Sequence, residues 1–134
     1  MKVLCKKAIS RDTGEDLRES SPWVKIDKEY VVLAFVYTKE RGFDMYIESE
    51  NYSELALISF SGFEFISQYI SSSWVTEVSN KYGEEIIKTL PGSWNYESFF
   101  DDLEDEEEHA MKLFHEEAQK IYDEEEQYAA SKNK

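Results

Sequence analysis

The side chains with which this chain could do chemistry are few: His109, His115, Cys5 and a dense run of carboxylates over residues 101–108. The histidines stand six positions apart, which on a helix separates them by about 120° around the axis, too far to grip one metal ion. His115-Glu116-Glu117 lacks the second histidine that a zinc-protease helix carries one turn on. Cys5 lies in the apolar run Val3-Leu4-Cys5, a setting for a small buried residue rather than a nucleophile. A serine nucleophile sits in a sharp elbow between glycines, and Phe60-Ser61-Gly62 has no upstream glycine. The five glycines do not cluster, so no phosphate-cradling loop is written in the chain. Asp101-Asp102-Leu103-Glu104-Asp105-Glu106-Glu107-Glu108 lacks the alternation and central glycine of a calcium loop. The expectation is therefore a protein that is not an enzyme, with no catalytic, cofactor-binding or metal-binding residues. What seven acids in eight positions can do is attract a basic protein surface and repel nucleic acid and anionic lipid.

The charge is lopsided. Residues 95–134 hold fourteen acids against four lysines, −10 of the chain's formal −14. The basic residues elsewhere are scattered and outnumbered, without the basic patches interleaved with aromatics that bind nucleic acid. Two aromatics lie shortly before the acidic run, and interfaces concentrate their energy in such side chains. The expected partner-binding set is thus Trp94, Tyr96, Asp101, Asp102, Glu104, Asp105, Glu106, Glu107 and Glu108. For each tryptophan (Trp23, Trp74 and Trp94) the competing role is a core residue with its indole N–H bonded.

The elements that must position this surface divide into two kinds. A chain of 134 residues suits one domain, and 41% hydrophobic with 15% aromatic content is too rich for disorder. Residues 1–78 read as β-rich. Residues 3–9 form a short apolar run, and a turn-rich stretch follows to Pro22. Tyr30-Val31-Val32-Leu33-Ala34-Phe35-Val36-Tyr37 suits a strand buried on both faces. Lys39-Glu40-Arg41-Gly42 is a turn, and Phe43, Met45 and Ile47 alternate with polar residues as in a half-buried partner strand, so the pair predicts a β-hairpin. Glu50-Asn51-Tyr52-Ser53 is a polar break before an extended run at 55–60. Ser61-Gly62 is a turn into a strand from Phe63, and a short strand starts at Trp74. These short pieces predict an α+β fold: a small, strongly twisted antiparallel sheet followed by C-terminal helices. The pattern leaves open whether the sheet closes into an SH3-like barrel.

Residues 79–128 read as the mainly helical, acidic part, and 129–134 as a frayed tail. Residues 83–90 fit either a short helix or a last strand, ended by Pro91-Gly92. Asn95 is a candidate N-cap for a helix over 96–103, and Asp105 for the next, with Glu108 completing a capping box. Met111, Phe114, Ala118, Ile121 and Tyr122 form one apolar stripe. Glu108, Lys112, Glu116, Lys120 and Glu124 alternate in sign every four residues, as on a solvated helix face. One cysteine rules out an internal disulfide and suits a reducing compartment. No apolar run reaches signal-peptide or membrane-span length, so a cytoplasmic location is expected.

The chain runs in order through Lys28-Glu29-Tyr30-Val31-Val32-Leu33, Tyr46-Ile47, Phe63-Glu64-Phe65-Ile66-Ser67, Ser73-Trp74, Leu90-Pro91-Gly92-Ser93-Trp94 and Phe99-Phe100-Asp101-Asp102. This order of blocks resembles small bacterial immunity proteins, which are encoded beside polymorphic toxins of the contact-dependent inhibition and Rhs types. The resemblance covers about residues 28–122. It implies a non-enzymatic cytoplasmic inhibitor, monomeric when free, that binds a cognate toxin domain, with a nuclease as the toxin that best matches an acidic surface. A second reading of the same acidity is a DNA mimic or adaptor that binds a basic host protein.

Overall fold

The computed structural model of the chain describes residues 1–19, 21, 23–49, 54–81 and 83–132. Eight strands come first: β1 (Lys2–Cys5), β2 (Glu29–Val31), β3 (Ala34–Thr38), β4 (Gly42–Glu48), β5 (Leu55–Ser59), β6 (Phe63–Ser67), β7 (Trp74–Lys81) and β8 (Glu84–Pro91). A 3-10 turn at Gly92–Trp94 leads into α1 (Phe99–Glu104) and α2 (Glu108–Lys132). The fold is α+β, as the periodicities predict. Its strands form two antiparallel sheets, ordered β2-β1-β6 and β5-β4-β3-β8-β7. Among the described residues neither sheet closes on itself, so the barrel is not closed. Among the described residues no helix is long and apolar enough to cross a membrane.

The run expected as one strand from Tyr30 to Tyr37 is two. Its first part pairs with β1, matching Val3 with Tyr30, and its second pairs with β4 and β8. The change of sheet takes a single peptide. Val32 donates its N–H to Met1 O at 2.9 Å, while Leu33 donates to Tyr46 O of the larger sheet at 2.9 Å. Both side chains are fully buried, Val32 among β1 residues and Leu33 beside Trp94 and Phe99.

The β3–β4 hairpin forms as expected, with Gly42 at φ +75° closing the turn. On β4, Met45 and Ile47 enter the core shared with Val3 and Cys5, while Tyr46 between them faces the helices. The polar face of β4, expected to meet solvent, is covered because the turn at Arg11 and the two helices bring it partners. Asp44 is bonded by Arg11 at 3.3 Å, Tyr46 stacks on Phe100 at 4.8 Å, and Glu48 accepts the Tyr122 hydroxyl. The molecule is thus three layers deep: small sheet, large sheet, helices.

Gly62 joins the small sheet to its neighbour loop. Its carbonyl accepts the N–H groups of Lys6 and Lys7, and at φ +87° a Cβ would stand 2.4 Å from Lys7 O. Only glycine fits there.

Residues 84–91 are strand, so the β-rich part runs past residue 78 and the helical part begins at Gly92. β7 and β8 make an eight-pair hairpin from Trp74↔Pro91 to Lys81↔Glu84, which decides between helix and strand for this segment. At the other end, α2 is helical to Lys132, longer than the expected frayed tail allows. The break at 50–53 lies outside the described residues.

On α2 the buried stripe is Ala110, Phe114, Ala118, Ile121 and Glu125, with Met111 only half-buried. Two acids at its C-terminal end are structural. Glu125 is 2% exposed and bonds the Met1 ammonium at 2.7 Å, which also donates to Tyr69 O at 2.6 Å. Burial pushes the amine's pKa down, against the upward pull of Glu125. Glu124, expected on the solvated ladder, instead accepts from Tyr69 and Ser71 hydroxyls and from Ser72 N–H. Burial alone would raise its pKa, but these hydrogen bonds outweigh it and hold the carboxyl below its ordinary value.

Two outcomes are expected. Glu125→Ala strands a buried ammonium, so urea unfolding should show a loss of about 3 kcal/mol with an unchanged m value. Glu124 has a lower pKa folded than unfolded, so its contribution is present above the unfolded value and fades as the pH falls through the folded one. Glu124→Gln should therefore lower the urea midpoint at neutral pH, and the gap from the parent protein should shrink as the pH falls below the ordinary glutamate range and through the lowered folded value.

Candidate partner-binding surface

Six residues make α1, and the helical period sorts them. Phe99 points inward and is fully buried, Phe100 and Leu103 are half-buried, and Asp101 and Glu104 face solvent. Asp101 and Asp102 occupy the first turn, where the helix dipole favours anions. The expected cap does not form: the helix starts at Phe99 rather than after Asn95. Asn95 instead donates its N–H to Gly92 O to close the 3-10 turn. Ser98 precedes α1, and its hydroxyl donates to Asp102 Oδ2 at 3.0 Å instead of capping the backbone.

Asp105 does not cap α2 either, because it closes α1. Its N–H donates to Asp101 O, Glu106 N–H to Leu103 O and Glu107 N–H to Asp102 O. The last two are the paired bonds of a Schellman motif, which places one residue in the left-handed region. That residue is normally glycine; here it is Glu106, at φ 57°. A non-glycine residue there costs roughly 1–2 kcal/mol. Glu107 then accepts the Met111 N–H as α2 begins at Glu108. The acidic run is therefore a fixed corner between two helices, not a loose tether.

Six of its seven acids are exposed, Asp102 alone being half-buried. Among the described residues no lysine or arginine pairs with any of them. The ion pairs of α2 lie further along, Lys112–Glu116 at 3.9 Å and Lys120–Glu117 at 3.8 Å. Glu117, one position past the ladder's Glu116, also accepts the Ser93 hydroxyl and is half-buried.

The two aromatics assigned to this surface lie beneath it. Trp94 is 0% exposed, stacked between Phe99 at 5.1 Å and Phe114 at 5.7 Å, with its indole N–H donated to Leu113 O. It is a core residue, and it leaves the partner-binding set. Tyr96 is half-buried, edge-on to Phe99. Its hydroxyl is enclosed with no hydrogen-bond partner among the described residues, and desolvation, then Asp102 and Glu107, raise its pKa. Trp74 also packs inward and donates its indole N–H to Leu33 O. Of the three tryptophans only Trp23 is exposed, at 43%. With Leu17 it borders a cleft of about 640 Å³ whose other side is Phe100, Leu103 and Glu104 of α1. The signal for Trp23 was its isolation in a polar, turn-rich stretch, away from every apolar run.

Among the described residues no three His, Cys, Asp or Glu side chains are grouped to hold a metal ion. Both histidines are exposed on α2, His115 at the edge of Phe114 and His109 over Tyr96. In comparisons with known proteins, no family model, curated protein or solved structure matches this chain.

Because Glu106 holds a left-handed backbone at the corner, Glu106→Gly should raise stability by about 0.5–1 kcal/mol in urea unfolding. Glu106→Ala removes the same charge but keeps the left-handed backbone strain, and should gain less.

Proposed function

We propose that this chain is a cytoplasmic immunity protein whose acidic corner binds and neutralises a cognate antibacterial toxin domain, with a nuclease as the toxin that best matches the charge. The observation that carries the reading is Glu106. A glutamate holds the left-handed position of a Schellman turn that glycine would fill without strain, in the middle of six exposed acids with no basic partner among the described residues. The fold tolerates strain and like-charge repulsion together at this corner. Strain held against repulsion is characteristic of functional sites.

The mechanism follows from electrostatics. A nuclease that handles a polyanion carries a basic cleft. Carboxylates fixed on a rigid helical corner steer toward such a cleft at rates above the roughly 10⁵–10⁶ M⁻¹s⁻¹ of unsteered association. Once seated, they occupy the positions of substrate phosphates. Because Trp94 is internal, the acids act without it, and apolar contacts come from elsewhere on the α1 side of the molecule.

The test is co-purification with the product of the gene immediately upstream, followed by stopped-flow association at several salt concentrations. A variant with Asp101, Glu104, Asp105 and Glu107 changed to their amides should associate at least about tenfold more slowly and show a flatter salt dependence. Unchanged kinetics would remove the acidic corner from the interface. Capture of a basic host protein in place of the neighbour's product would favour a DNA-mimic or adaptor role.

A further inference from the structure

We infer that the free edge of β5, beside α1, is a docking groove for an extended, basic segment of the partner's polypeptide. This rests on the reading that the partner is a protein with a basic surface, and it names where that partner's chain enters.

The cleft next to α1 touches every residue from Glu54 to Ile58. Successive side chains on a strand point to opposite faces, so a hollow that meets five in a row runs along the strand's edge. β5 is the outermost strand of its sheet. The ladder to β4 decides which backbone groups face the hollow. At its two ends Phe60 N–H donates to Phe43 O and Ser49 N–H to Glu54 O. By the antiparallel alternation, Met45 with Ile58 and Ile47 with Ala56 are hydrogen-bonded pairs of the same kind. Leu55 and Leu57 therefore aim their N–H and C=O groups away from β4, into the cleft. Among the described residues neither has a backbone partner on that side.

Two N–H and two C=O groups in a row are a template for strand addition, in which main-chain bonds give affinity and the walls give selectivity. The walls here have a definite character. Leu17 and Trp23 are each 43% exposed, and α1 contributes Phe100 and Leu103. The charged lining residues are Asp12, Glu54 and Glu104 against Arg11, whose guanidinium is already bonded to buried Asp44. The acid corner continues from the same helix. A segment alternating apolar and basic residues matches all three features: backbone groups for β5, apolar side chains for Trp23 and Leu17, and cations for the rim and corner.

The test uses the full chain, labelled with nitrogen-15, and an eight-residue capped peptide alternating lysine and valine. Titration followed by amide NMR should move the β5 amides and the Trp23 indole. Methylating alternate peptide nitrogens, or replacing lysine by glutamate, should weaken binding by about tenfold or more. Trp23→Ala, at an exposed position, should keep the native spectrum and bind the peptide at least about fivefold more weakly. Shifts confined to residues 101–108, equal binding of the methylated peptide, or no binding below about 1 mM would each overturn the groove. The peptide is independent of the neighbouring gene. If it fails while that gene's product still binds, the groove falls and the proposed function stands. The opposite pair of results leaves the groove and sinks the function.

Discussion

Two-sided burial of β4, within the five-stranded sheet, is the constraint on which the rest of the molecule depends. Met45 and Ile47 of β4 are buried against one layer, and Asp44, Tyr46 and Glu48 on its other face meet Arg11, Phe100 and Tyr122 instead of water. The small sheet and the loops around it cover the first face, and the two helices cover the second. Everything else follows from that arrangement. The chain must change sheets at Val32 and Leu33 to build both layers, and α1 must lie against the helical face with Phe99 inward. The same seating turns Asp101 and Glu104 outward.

The chain's acidity separates on this scaffold into two populations. Asp44, Glu48, Glu124 and Glu125 are each engaged by a specific donor: Arg11, Tyr122, the 69–72 segment and the Met1 ammonium. They answer a structural need, that of satisfying polar groups trapped between layers. Among the described residues the side chains of the α1–α2 corner acids satisfy nothing internal beyond the Ser98–Asp102 contact. Net charge alone does not distinguish the two groups. Burial and partner do, and they set the acids of the α1–α2 corner apart from the rest.

How much of this was legible in the sequence depends on the range of the deciding contact. The β3–β4 hairpin was readable because Gly42 and the alternation 43–47 lie within a few residues of each other. The dense acidic run was readable by position, and so was most of the α2 stripe. The split at Val32 was not, because an apolar run looks the same whether it stays in one sheet or crosses between two. Trp94 stands in a polar neighbourhood, and the rings that enclose it come from α1 and from a point twenty residues further on. Glu125 reads as one acid among four in a row, and its partner is 124 residues away. The groove beside β5 depends on which strand ends up outermost, a property of the assembled sheet that no local pattern carries.

The bond between the Met1 ammonium and Glu125 also has a temporal meaning. It joins residues 124 apart, and Glu124 beside it fastens the 69–72 segment to the same helical turn. A contact between residues so far apart in the chain is the kind of pairing that slows folding. Loosening the Glu124–Glu125 turn of α2 releases the start of β1 at once, so these two segments should exchange their amide hydrogens as one cooperative unit.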